Sequence, residues 1–419
     1  MRKLDETGWS WPGFSLLLLV NLLALSFLFS PGTGDVSIWA TWMNEIASRG
    51  LIGGFSHTGT DYPPFAFFVL AGVVGVAQTF AVSQFVVLKC ALLLFLLASA
   101  ACFYAFSRNL LLTAALEASL VLNCMGLGYL DIIFAPFLIS GLFLLRQRHL
   151  NTGFLCYVAS CMFKWQPLII APFVCFYVLS AAREQPTTQS RIRTQLGPFL
   201  LSGLILVVPA LAIFGGPELF DSFRRALTNH KFLSGYALNL PWIETWLLHL
   251  VAPEKYGALA KEGIDLILIR EPIIVWPNKI LFYLTYAGIL FSFARQTKTF
   301  ERLISYSLLG YFAYFCFNTG VHENHLFLIC CLSWILVFLE PTQLTRMISF
   351  AIAANANLIL FYGAFGQRVN SVIAGADVTL LFGAFNLWLF AEYLCYTLRA
   401  DKVWLTFRQG HATSTATED

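Results

Sequence analysis

From Trp11 to Leu398 the chain returns repeatedly to apolar runs, and most of what lies between them is short connector. A helix needs about 20 apolar residues to cross the hydrocarbon core of a bilayer. The sequence offers on the order of ten to twelve such runs. Of the 419 residues, 58% are hydrophobic and 12% charged, with a mean hydropathy of +0.71. A soluble domain carries roughly 25% charged residues, so most of this chain belongs in lipid. The expected fold is all-α: a polytopic integral membrane bundle of about 10–13 spans, with interfacial helices in its outer loops. The expected membrane domain is 1–409, followed by a disordered tail at 410–419. The net charge of +3 says little, because the placement of Lys and Arg sets orientation. Most of the ten cysteines lie inside apolar runs, where they read as small core residues.

The opening segment is too long in its apolar part, and lacks a small-residue cleavage site, for a cleaved leader. It reads as a retained first span with Arg2 and Lys3 cytoplasmic. The first outer loop (31–62) then places Asp35 after a Gly/Pro-rich helix end and closes on Asp61-Tyr62-Pro63-Pro64. Between them Trp39, Trp42 and Met43 share one side of an amphipathic piece, which predicts a short interfacial helix. Basic clusters at Arg146, Arg148 and His149, and at Arg183, Arg191 and Arg193, mark cytoplasmic ends. If every run crossed, Arg146 would fall outside, so one run between Pro64 and Cys124 is expected not to be a simple crossing. A hairpin tip at Lys164-Trp165-Gln166-Pro167 is expected on the outer side. The long stretch 215–277 is too aromatic for a disordered loop and predicts further interfacial helices over a site.

Polar clusters therefore gather on one face: Asp35, Asp61 with Tyr62, Asp131, Lys164 with Gln166, and His322-Glu323-Asn324-His325. Arg270 and Arg368 belong to later outer turns. Acids, a lysine and imidazoles at a bilayer surface suit transfer of a sugar from a lipid phosphate. A carboxylate takes the acceptor's proton. The phosphate leaving group is already a weak base, so it needs cations and donors rather than a general acid; Lys164, Arg270, Arg368 and the histidines qualify.

Each residue also has a plainer reading. Asp35 can cap the interfacial helix, Asp61 can belong to turn chemistry, and Asp131 can cap the helix after it. Lys164 and Lys89 can snorkel, although an intramembrane charge is costly and points to function. Glu117 and Glu392 read as paired groups between helices. The His-x-x-His spacing at His322 and His325 is weak evidence for a metal, and no third ligand is apparent. No cofactor is expected; a divalent metal is possible but unsupported.

At these residues the chain resembles the GT-C superfamily of polyprenyl-phosphate-sugar-dependent glycosyltransferases. It is nearest to bacterial polyprenol-phosphate-mannose transferases, with echoes of protein O-mannosyltransferases and dolichol-linked glucosyltransferases. The likeness rests on Gly34-Asp35 in the first outer loop, Asp61-Tyr62-Pro63-Pro64 at its end, Gly128-Tyr129-Leu130-Asp131 opening a later helix, Phe163-Lys164-Trp165-Gln166-Pro167, and Val321-His322-Glu323-Asn324-His325. These short motifs run in order over roughly residues 11 to 340. The resemblance implies a GT-C-like fold and an inverting hexosyltransferase, with a mannose-like sugar favoured. It implies Asp35 as base, with Asp61, Tyr62, Asp131, Lys164, Gln166, Arg270, His322, Glu323, His325 and Arg368 around the substrates. The partners would be a polyprenyl-phosphate sugar and a lipid or glycan acceptor. Many relatives carry an acid pair in the first loop; here Val36-Ser37 follow Asp35, which leaves Glu45 or Asp61 for the second carboxylate.

A transporter or flippase of lipid-linked sugars would place ionisable groups near the midplane in repeated halves, and no repeat is visible. A lipid-linked glycan polymerase or ligase shares the scaffold and usually carries its large outer loop late in the chain; the substantial loop over 215–277 keeps that reading open. A bacterial inner membrane is favoured over the endoplasmic reticulum, with the N-terminus cytoplasmic.

Overall fold

The computed structural model describes residues 10–180, 188–228, 231–260, 263–269 and 271–400, and side chains throughout these except at 188–196. The expectations placed on Arg2, Lys3, Arg183, Arg270 and the tail lie outside that description, as do the side chains of Arg191 and Arg193. The described residues are all-α apart from one strand pair. In order the helices are α1 (Trp11–Ser26), α2 (Gly34–Thr58), α3 (Pro64–Phe80), α4 (Gln84–Ser107), α5 (Leu110–Val121), α6 (Ala135–Arg146), α7 (Leu150–Phe163), α8 (Ala171–Ser180) and α9 (Thr188–Phe214). Then come α10 (Gly216–Thr228), α11 (Leu240–Val251), α12 (Pro253–Tyr256), α13 (Pro272–Arg295), α14 (Phe300–Phe317), α15 (Phe327–Leu339), α16 (Leu344–Tyr362) and α17 (Val378–Ala400). Strands β1 (Val372–Ile373) and β2 (Ala376–Asp377) pair antiparallel between α16 and α17.

Five helical stretches are long and apolar enough to cross a membrane: Gln84–Ser107, Gly197–Phe214, Pro272–Arg295, Pro341–Tyr362 and Val378–Ala400. Six further apolar helices are shorter. The sequence breaks explain the shortfall. Asp131, Lys164 and Glu323 each sit where an apolar run gives way to a single tight turn of helix, Leu130–Phe134, Gln166–Ile170 and Glu323–Leu326. A helix that stops at a polar recess does not have to run the full depth.

Helix ends divide between two ends of the bundle. At one end Arg146 lies over the rings of Phe300 and Phe338, Arg148 over Tyr177, and Phe106 stacks on Phe143. At the other, Ser30 Oγ donates to the Gly126 carbonyl and the Thr33 amide to Leu127. The 126–131 break is therefore fastened to the start of α2. The run that does not pass from one end to the other is α3. It starts at Tyr62-Pro63 and ends three residues before α4, whose Lys89 donates to the Met125 carbonyl at 2.5 Å. Both ends of α3 thus lie at the second end, the arrangement expected of a run that is not a simple crossing. Lys89 does not snorkel: at 1% exposure it is spent on that carbonyl.

The core centres on α14 and α15, buried on nearly every side. Between apolar helices in lipid there is little hydrophobic drive, so close backbone approach matters more. The antiparallel pair α6–α7 uses it. A Cβ on Gly141 would lie 2.9 Å from the Tyr157 amide nitrogen, and one on Gly153 would lie 3.0 Å from that of Leu145. Glu117 accepts from Asn21 at 3.2 Å, and Arg346 meets Glu392 at 2.9 Å, as expected for paired groups between helices.

Candidate functional site

The α6–α7 hairpin makes the first contact of the site. Asp131 lies just before α6 and Lys164 just after α7, so an antiparallel pair brings them to the same end. Lys164 leaves the helix in an extended conformation, and Pro167 restarts the chain. Its Nζ reaches Asp131 Oδ1 at 2.8 Å, and the carboxylate is fully buried. Asn324 donates to the other Asp131 oxygen at 2.8 Å. Lys164 also donates to the Tyr62 hydroxyl, with its ammonium 4.0 Å from that ring's centre. Neither residue takes its plainer reading: Asp131 is not a helix cap, and Lys164, 8% exposed, does not snorkel.

Helix α2 supplies the acid. Thr33 is its N-cap residue, and Asp35 sits in the first turn without a capping bond. Trp39 Nε1 donates to the Gly128 carbonyl at 3.0 Å, holding this turn over the 126–131 break. Gly128 has φ +77, and a Cβ there would meet Val36 Cγ2 at 2.6 Å, so only glycine allows so close an approach. The rings of Trp39, Trp42 and Tyr62 pack edge to face, 4.8 to 5.5 Å apart. The interfacial helix expected over Val36–Ala47 is the first part of α2, which kinks at Gly50.

Two later segments close the site. In the 215–277 stretch, α10 is amphipathic; its Ser222 donates to the Tyr62 carbonyl at 2.7 Å. Trp165 Nε1 donates to the Asp61 carbonyl at 3.0 Å, and its ring meets Phe223 at 5.2 Å. The His-Glu turn is gripped by residues 231–239: the Gly235 amide donates to Val321 at 2.8 Å, and the Glu323 amide to Gly235 at 3.1 Å.

Together these elements enclose a cavity of about 480 Å³. Asp35, Asp61, Tyr62, Lys164, Gln166, His322 and His325 line it. So do residues to which the sequence reading gave no substrate role: Trp165, Lys279, Tyr314, Asn318 and Asn324. Asp131 and Glu323 lie behind the wall. Glu323 accepts from the Tyr129 hydroxyl and lies 3.7 Å from His322 Nδ1. His325 is oriented by the Tyr314 hydroxyl, 3.0 Å from its Nδ1. Arg368 is a correction. It does not line the cavity but lies 3.6 Å from Asp265 and over Tyr236.

The electrostatics follow from burial. Asp35 is pushed up to about 6, first by burial and then by the charge of Glu323, with His322 and Lys164 pulling the other way. Among the described residues its carboxylate has no hydrogen-bond or ion-pair partner. Burial opposes charge on His322, but the hydrogen bond and charge of Glu323, then Asp35 and Asp61, outweigh it and raise its pKa. Tyr62 stays a phenol, raised by burial and the surrounding carboxylates. Among the described residues no three of His, Cys, Asp or Glu converge as metal ligands. The arrangement can take a proton at Asp35 and offer positive charge or N–H donors from Lys164, Lys279, His322 and His325. No protein-family model and no curated protein matches the chain.

Proposed function

We propose that this chain is an integral membrane glycosyltransferase of GT-C type, with about twelve passages through the bilayer. It moves a hexose, mannose-like by preference, from a polyprenyl-phosphate donor to a lipid or glycan acceptor with inversion. Asp35 is the general base. The acceptor hydroxyl attacks the anomeric carbon and gives its proton to Asp35 while the carbon–oxygen bond to phosphate breaks. The bonding pair leaves on the polyprenyl phosphate, whose added charge meets the cavity's cations. A bacterial inner membrane, N-terminus inside, is the favoured setting.

One observation carries this reading: an unpartnered carboxylate with its pKa near 6 shares a cavity with two lysines and two histidines at a bundle end. A base works best when its pKa lies near the operating pH, and apolar walls beside a polar recess suit substrates that arrive from lipid. The test is incubation of the purified protein with a panel of polyprenyl-phosphate sugars, scoring release of polyprenyl phosphate. Release with one or a few sugars, and none from Asp35→Asn, is expected. Silence across the panel, or near-normal release by Asp35→Asn, overturns the proposal.

A further inference from the structure

The sequence reading counted Lys164 among the groups that would meet the donor's phosphate, and the charge pairing in the cavity argues otherwise. Lys164 is neutralised at 2.8 Å by a fully buried carboxylate, and it spends a second of its three N–H donors on the Tyr62 hydroxyl. A phosphate placed there would also face the repulsion of Asp131. Lys279 lines the same cavity from α13, and among the described residues it has neither an ion pair nor a hydrogen bond. Gln166, 6% exposed, lines the same cavity, and its amide oxygen and nitrogen are both buried without a partner. A buried amide with no partner is expensive unless something fills the site.

The surfaces next to these two groups are apolar. Phe282 and Tyr283 stand three and four residues after Lys279, on its face of the helix, and Leu168 and Ile169 follow Gln166. This wall leads from the polar recess outward: the Tyr283 side is 54% exposed and Leu168 38% exposed. Free phosphate would have no use for such a wall, whereas a phosphate carrying a hydrocarbon tail would cover it.

We propose that Lys279, with Gln166, holds the phosphate of a lipid-linked ligand whose tail lies along Leu168, Ile169, Phe282 and Tyr283. This deepens the transferase reading and rests on it for the sugar, but not for the lipid phosphate. Lys164 is then a positioning residue that fixes Tyr62 and the floor beneath Asp35.

The test titrates farnesyl phosphate, farnesol and inorganic phosphate into the full chain in lipid nanodiscs by calorimetry. Farnesyl phosphate should bind the native chain, and equimolar inorganic phosphate should not displace it. Lys279→Gln should weaken farnesyl phosphate by about tenfold or more, the scale of a lost charge-assisted contact, and leave farnesol unchanged. Lys279→Arg should restore most of the affinity, and Tyr283→Ala should weaken farnesyl phosphate and farnesol alike. The proposal is overturned by absent binding, by native affinity in Lys279→Gln, by an equal loss for farnesol in that variant, or by displacement with free phosphate. Binding that behaves as expected without any sugar transfer would count against Asp35 as base and leave the lipid-phosphate site standing.

Discussion

Asp35 costs the fold stability once it is ionised. Its carboxyl is raised from 3.8 to about 6, so the ionised form is penalised in the folded state. That penalty is absent below the unfolded value, grows as pH rises through the interval, and is complete above pH 6. Asp35→Asn should therefore keep or raise the melting temperature at pH 8 while losing at least about a hundredfold in turnover. A fall in both would make Asp35 a structural residue. In the native protein kcat/KM for the sugar donor should drop about tenfold per pH unit below pH 6; a flat profile down to pH 5 would exclude Asp35 as base. The Lys164–Asp131 pair behaves in the opposite way. Lys164→Met leaves Asp131 charged and buried, at a cost of about 3–5 kcal/mol, and adding Asp131→Leu should return much of it, read by denaturation in detergent. Asp35, Lys164 and the His-Glu turn were legible because a charge beside apolar sequence stands out. Lys279 was not: it opens an apolar run, and nothing in its neighbours distinguishes a cavity cation from an interfacial anchor. Arg368 stood out equally well and lies elsewhere, because a charge beside a run tells which end of the bundle it occupies but not which wall it joins.

At the scale of the element, the α6–α7 hairpin determines whether a buried pair forms at all. Its contact runs through backbone, with a Cβ at Gly141 meeting the Tyr157 nitrogen at 2.9 Å and the Gly153 oxygen at 3.1 Å. No rotamer change relieves that clash. Gly141→Val should cost about 1–3 kcal/mol and spread the hairpin, so the loss of transferase activity should exceed the loss of stability. Equal losses would mean that the hairpin sets stability alone. The breaks at Gly128–Asp131, Lys164–Pro167 and Val321–His325 could be read from sequence, since each interrupts a long apolar run. The course of α3 could not. Its 17 residues have the composition of a crossing, and what tells them apart is a contact outside the run, from Lys89 to Met125.

For the whole molecule, the division into two ends is a statement about sidedness. Epitopes inserted at Gly59 and at Val82 should be accessible from one face of the membrane, and one at Gln147 from the other. Opposite sidedness for Gly59 and Val82 would make α3 a crossing and undo the placement of the cavity. Some of the segments that reach the cavity are short. The five residues of Gln166–Ile170 and the ten of α8, with Leu168, Phe176 and Leu179 exposed, extend about 25 Å, against a hydrocarbon layer of about 30 Å. Lipid next to such a helix has to dip to cover it, at a modest cost for each ångström of mismatch. The headgroup plane would then sag toward the recess, so that a long-chain phosphate could drift in sideways without ever lifting its charged end clear of the leaflet.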